Sequence, residues 1–451
     1  VPVDRASAVA TLMTGAVPAQ HGIISEKWFD IETLHPVGAV DDTHYMGNYT
    51  NDTTSPHYLI AETYTDALKE QTQNTGLVYS IAPWKDAAIL AAGHVADGAY
   101  WIDDNSGNWC STTYYPELPD WLANYNLSDG VGTRVKDIVW KPFLSFEDFH
   151  YQTSTYHKKP FKYPMRAYRE AMVKRFMASP LVNDEVNKIV DKCLQYTRLG
   201  RDETPDVLTV GYTVGRDMDA SLTEQPMEQQ DAYVRLDLSI QHLLGMIERH
   251  VGLNRTLVVL SGAAPQKKIH PVLGRYHIPS GEFRINRCAA LLNLYLMAKY
   301  GDGKWVSGYH DQQIYLNHAL IEKRQMQLDE VQLRAAHFLA EFSGVQQVYS
   351  SHQLLLGGWS PQTELFRAGF HIAHSGDLFI DILPGWKQVD EQDRVVQVVQ
   401  HGTTYAPIIL MGPNVKAQII RVPVNMTQVC PTICSSIHIR GPNAAASFPL
   451  Q

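Results

Sequence analysis

The sequence predicts an α/β fold with a mostly parallel central sheet, helices on both faces and inserted cap subdomains. Three observations predict it. Short apolar runs at Gly76 to Ile81, Pro205 to Tyr212 and Thr256 to Leu260 have the length and residue types of buried parallel strands. Helical patterns alternate with them. The clearest runs from Glu228 to His250, with Leu236, Ile240, Leu243, Leu244 and Ile247 at helical spacing and Arg235, Asp237, Glu248 and Arg249 at other positions. Finally, a chain of 451 residues can bury a large core, and strands alternating with helices place such a core around a parallel sheet covered on both sides.

The elements follow in order. Ala6 to Met13 is rich in alanine with Leu and Met and predicts a helix; Gly15 stops it and Pro18 prevents its continuation. A polar, turn-rich segment reaches Ser55, where Ser55-Pro56 predicts the start of a helix ending near Gln73. After the strand that ends at Ile81, Ile89 to Gly93 leads to His94 and the loop Asp97 to Trp101. Residues 127 to 165 are aromatic and irregular, and Ala167 to Met177 and Asn183 to Tyr196 read as helices. Further helices are expected near 286–300, 312–324 and 329–343. Strands are expected at Asp377 to Ile382 and Ala406 to Gly412, and a last helix over Asn425 to Ser435.

Composition narrows the function. A net charge of −9 and the lack of a long basic run argue against a nucleic-acid binder. No apolar run approaches the roughly 18 residues of a membrane span, and no signal peptide is visible. The five cysteines, Cys110, Cys193, Cys288, Cys430 and Cys434, are odd in number and scattered, which argues against a disulfide framework. Cys430 and Cys434 share a helical face as two small apolar residues.

The motifs are more specific. Ala10-Thr11-Leu12-Met13-Thr14-Gly15, then Pro18, His21-Gly22-Ile23-Ile24 and Trp28-Phe29-Asp30, resemble the nucleophile block of the alkaline phosphatase superfamily. The branch is that of type I phosphodiesterases, nucleotide pyrophosphatases and phosphate-irrepressible alkaline phosphatases. Asn108 to Tyr115 with Leu118-Pro119-Asp120-Trp121, and the last helix, resemble further segments of that family, so the likeness runs from about Ala6 to about Pro449. It implies a core in residues 1–125, an irregular and helical insertion in 126–204, core again in 205–264, an inserted subdomain in 265–400 and a final core segment in 401–451. The family's first strand and one Asp metal ligand are expected upstream of this chain.

The resemblance also implies covalent phosphoryl transfer at two zinc ions held by Asp and His. At the matching positions this chain carries other residues. Arg5 stands where the family has its nucleophilic Thr, and Glu26 where an Asn holds a phosphate oxygen. Trp84 and Asp86 replace the substrate-side Lys and Arg, in a segment expected to be extended, with Lys85 between them. Arg216 and Ala220 replace one Asp and His ligand pair; Asp217 and Asp219 are near but displaced. Ala263 and Ala264 replace the second pair, and alanine ligates nothing. His401, before Gly402, is the one retained candidate.

From these replacements the sequence reads as a catalytically inactive scaffold or binding protein of a Gram-negative envelope, periplasmic, outer-membrane-associated or secreted. It would have no metal, no cofactor and an unidentified protein partner. Two alternatives stay open. One is an active phosphomonoesterase or phosphodiesterase with metal ligands shifted to Asp217, Asp219, His401 and the upstream Asp. The other is a phosphate- or sulfate-binding protein in which Arg5 and Arg216 hold the anion with helix N–H groups. Arg5, Glu26, Arg216, Ala263, Ala264 and His401 are expected to converge at the C-terminal ends of the core strands, with Glu26 in salt-bridge reach of Arg5 or Arg216.

Overall fold

The computed structural model describes residues 4–149, 160–215, 226–263, 280–392, 394–400, 404–413 and 415–450. The chain divides into two compact units: Val1–Ala16, Val40–Gln266 and Tyr405–Gln451 form the first, Val17–Ala39 and Lys267–Thr404 the second.

In the first unit α1 (Arg5–Thr14) precedes β1 (Gly47–Asn48), α2 (Tyr64–Gln71), β2 (Val78–Ile81), α3 (Lys85–Ala92), β3 (Gly98–Ile102) and β4 (Trp109–Thr112). Then come α4 (Val182–Tyr196), β5 (Val207–Val210), α5 (Pro226–His250), β6 (Val258–Ser261), β7 (Ile408–Met411) and α6 (Val429–Ser436). The main sheet has the order β1-β4-β3-β2-β5. β2 runs parallel to both neighbours, pairing Ile81 with Tyr100 and with Val210. β4 is antiparallel to β3 and to β1, so the sheet is mixed. The cause is local: the link from Ile102 to Trp109 is too short for a crossover helix. Asp103 turns it by accepting from the Asn105 and Ser106 amides.

A mostly parallel sheet of the kind the sequence predicts would set β5 and β6, joined by helix α5, side by side. Among the described residues they are not neighbours: β6 pairs antiparallel with β7, from Val258 opposite Met411 to Ser261 opposite Ile408. Glycine at 412 permits this seating, since a Cβ there would lie 2.6 Å from the Thr256 carbonyl oxygen.

Two helix expectations also change. Ser55 starts no helix; its hydroxyl donates to Asp42 at 2.5 Å. α2 begins at Tyr64 instead, because Thr63 and Asp66 cap it reciprocally: the Asp66 amide donates to Thr63 Oγ1 at 3.1 Å and the Thr63 amide to Asp66 Oδ2 at 2.9 Å. The stretch 312–324 is a strand, Gln313–Leu316, followed by a short helix, His318–Lys323, that Asn317 caps.

The main core of the first unit joins Ile81, Tyr100 and Ile102 to Trp109, Trp140, Phe176, Val186 and Ile189. Each large side chain so buried contributes about 1.5–3 kcal/mol over its exposed state. The aromatic stretch after residue 126 thus shares one core with the sheet. The second unit holds a four-stranded antiparallel sheet in the order Val306–His310, Gln313–Leu316, Leu378–Ile382, Val345–Ser350. Its helices Ile285–Tyr300 and Leu328–Ala340 contribute Leu292, Leu296, Val331 and Leu339 to a separate core.

Candidate active site

Two helix N-termini build the described part of the site. Asp4 caps α1, accepting from the Ser7 amide at 2.9 Å and the Ser7 hydroxyl at 2.6 Å. Alanines carry the helix to Gly15, which closes it at φ +68°. A Cβ on Gly15 would sit 3.0 Å from Ala445 Cβ and 3.2 Å from Cys430 Cβ, so glycine is required for the turn and for the packing beneath it. This places Arg5 in the first turn. Trp84 is extended at φ −106°, ψ 136°, and the chain becomes helical at Lys85. The extended segment expected around Asp86 is therefore a helix start. α1 packs against α3, and Ala6 and Ala8 of the one and Ala88 and Ala92 of the other are buried.

That packing brings three of the replaced positions together. Arg5 Nε donates to Asp86 Oδ1 and Oδ2, each at 3.0 Å, and the guanidinium carbon lies 4.9 Å from the centre of the Trp84 ring. The two charged side chains are only 16% and 10% exposed, so the pair is shielded from water in a way that a surface pair is not. A cation in the first turn of α1 opposes the helix dipole. Asp86, in the first turn of α3 where an anion is favoured, offsets it. The indole Nε1 of Trp84 is buried without a hydrogen-bond partner among the described residues. Lys85 turns to different partners, Asp52 at 3.0 Å and Asp41 at 3.7 Å. Burial works against its charge, but the Asp52 contact and Asp41 outweigh burial and hold its pKa above the ordinary value.

Asp86 is the residue whose role the sequence reading missed. It was named as a replaced substrate position, not as the partner of Arg5. The signal available was an acidic residue one place inside a helix start. Ala263 lies two residues beyond β6 and offers only a methyl group. Glu26 belongs to the second unit, just ahead of the strand Lys27–Asp30, and its carbonyl accepts from the Ala39 amide. Arg216, Asp217, Asp219, Ala220, Ala264 and His401 lie outside the described residues. The zinc that the resemblance implies finds no cradle among the described residues, which contain no group of three or more His, Cys, Asp or Glu fit to hold a metal.

Comparison with known proteins bears on what this site does. Residues 1–404 match the profile of the family described as Type I phosphodiesterase / nucleotide pyrophosphatase. The chain is 25% identical over 481 aligned positions to the alkaline phosphatase PafA of Elizabethkingia meningoseptica, covering 100% of this chain and 85% of that protein. It is 23% identical to the alkaline phosphatase PhoV of Synechococcus elongatus, over 98% of this chain and 83% of that one. The crystal structure of wild-type alkaline phosphatase PafA superposes with a TM-score of 0.88 at 24% identity, covering 100% of this chain and 89% of that chain. The α/β alkaline phosphatase-like class therefore stands.

Two sequence-based expectations do not stand. The inactive scaffold is overturned by full-length relatives that bear the name of active phosphatases and by the family match. The expectation of no cofactor falls with it, because the chemistry of that superfamily is metal-dependent. The physical reason for the error is that side-chain replacements were read at fixed spacing, without the partners the fold supplies. No described helix is long and apolar enough to cross a membrane.

Proposed function

Because the chain belongs to the type I phosphodiesterase / nucleotide pyrophosphatase family, we propose that it hydrolyses phosphoric esters, with the Arg5 guanidinium binding the phosphoryl oxygens. The observation that carries this reading is the Arg5–Asp86 pair under Trp84. It holds a permanent cation in one orientation beside the N–H groups of a helix N-terminus, the two features that bind phosphoryl oxygens. Arg5 cannot act as a nucleophile, since its guanidinium keeps its protons. The attacking group in this proposal is therefore water: a P–O bond to water forms, the P–O bond to the alcohol breaks, and the proton of water ends on the leaving alcohol or in solvent.

In this superfamily a bound metal, where present, activates an oxygen nucleophile and stabilises the leaving oxygen. Asp217, Asp219 and His401 are the side chains the sequence offers for such an ion. Arg5 and the N–H groups at the start of α1 would bind the phosphoryl oxygens beside such an ion. An envelope location belongs to the same proposal and rests on the resemblance, and the absence of nucleic-acid binding rests on the net charge of −9.

The test is hydrolysis of p-nitrophenyl phosphate and bis(p-nitrophenyl) phosphate by the purified chain, with zinc added and with chelator. Turnover of either ester above the buffer rate supports the proposal. No turnover of either with zinc present overturns it.

A further inference from the structure

α3 carries Trp84 and Asp86 at its N-terminal end and closes at Gly93, φ +79°. The residue that follows, His94, is held in an unusual way. Its Nδ1 lies 2.7 Å from Asp66 Oδ2, and its Nε2 lies 2.7 Å from the carbonyl oxygen of Leu59. A carbonyl only accepts, and so does an ionised carboxylate. Both ring nitrogens therefore donate, and only the imidazolium carries two protons.

The surroundings fit a cation. Asp66 accepts from the Thr63, His94 and Val95 amides as well as from the ring, which occupies about all four of its acceptor positions. Several of these bonds hold it ionised. Glu62 also faces the ring and favours the charged form, while sharing Arg440 at 2.6 Å. The Tyr114 hydroxyl donates to the His94 carbonyl at 2.8 Å. Asp97 is engaged with Lys69 at 2.6 Å. The backbone fits too closely to shift without breaking these bonds: a Cβ at Gly93 would meet Thr63 Oγ1 at 2.5 Å and Asp66 Oδ1 at 2.7 Å.

We propose that His94 is a proton-operated latch, whose imidazolium ties the end of α3 to the capping box of α2 and to the Leu59 loop, and which opens as pH rises. With one proton gone, one ring nitrogen turns a lone pair toward an oxygen at 2.7 Å, and that contact becomes repulsive. Burial opposes the charge, but the Asp66 bond and the Leu59 carbonyl outweigh it and raise the His94 pKa above its ordinary 6.5. The latch is thus fully closed below pH 6.5 and is lost as pH rises through the higher value in the folded protein.

The test uses the full chain labelled at histidine Cε1, with the His94 resonance identified as the one missing in His94→Gln. The expected titration midpoint lies above 6.5, and Asp66→Asn moves it down. Thermal midpoints between pH 7 and pH 10 form the second readout: that of wild type should fall further over this range than that of His94→Gln. Should His94→Gln not fold, Asp66→Asn identifies the resonance by its shift. A wild-type midpoint at or below 6.5, or thermal profiles that run parallel in wild type and His94→Gln, overturns the latch.

Discussion

Arg5 and Asp86 are 81 positions apart in sequence, yet one Nε donates to both carboxylate oxygens at 3.0 Å. The bond joins the N-terminal turns of α1 and α3, two alanine-rich helices packed on each other. It makes the charged position on α1 tolerable, since the carboxylate stands where the dipole of α3 favours it and the dipole of α1 needs it.

Breaking either half should therefore be costly. Asp86→Asn keeps the shape and removes the charge, leaving a shielded guanidinium poorly compensated. A loss of about 2–4 kcal/mol is expected by urea unfolding. Arg5→Lys should not restore the pair, because an ammonium lacks the guanidinium's planar fork and its stacking on Trp84. Additive losses in Arg5→Ala, Asp86→Ala and the double variant would show that the two residues are not coupled.

Gly15 positions the same helix from its other end. Gly15→Ala should destabilise the chain by about 1–3 kcal/mol, because a left-handed φ of +68° is combined with contacts of 3.0–3.2 Å to Ala445, Cys430 and Pro431. Ala16→Gly, the next residue along, is the control for chain composition. Equal thermal midpoints for wild type and Gly15→Ala would contradict the close packing described.

In the second unit, His21 is buried, and burial pushes its pKa down from 6.5 to about 3, aided by nearby His371. The Ile23 amide donates to its Nδ1 at 3.1 Å, which leaves the ring proton on Nε2. The folded state keeps this ring neutral while the unfolded chain protonates it below 6.5. Stability should fall as pH drops from 6.5 toward 3, by roughly 3 kcal/mol at pH 4 from this one group. His21→Gln should flatten that acid limb in pH-dependent unfolding. An unchanged limb would mean that other groups account for acid loss.

Much of the fold was legible in the residues themselves. The strands at Val78–Ile81, Val207–Val210 and Ile408–Met411 lie inside segments that the pattern marks, and Val258–Ser261 overlaps the run Thr256 to Leu260 and ends one residue beyond it. Helix α5, Pro226–His250, follows from its apolar spacing. Pairing was less visible, because an apolar strand does not say which neighbour it takes: β6 lies on β7, not beside β5. Helix starts were misread where a strong local cap competed, as Ser55-Pro56 did with the capping box of Thr63 and Asp66. At the site, Arg5, Trp84 and Asp86 were all named from the resemblance to the family's motifs. Their mutual contact was not, because it depends on two helices meeting. The step from replaced residues to lost activity failed for the same reason, as spacing shows which side chain is gone and not what takes over its charge.

The measurement that tests the central claim most directly is kcat/KM for p-nitrophenyl phosphate and bis(p-nitrophenyl) phosphate in wild type and Arg5→Ala, with folding of both checked by thermal melting. The wild-type chain should turn over at least one ester, and Arg5→Ala should lower kcat/KM by about 100-fold or more, as expected for loss of a group that stabilises developing charge. A folded Arg5→Ala variant as active as wild type, or a wild type no faster than buffer, would contradict the account.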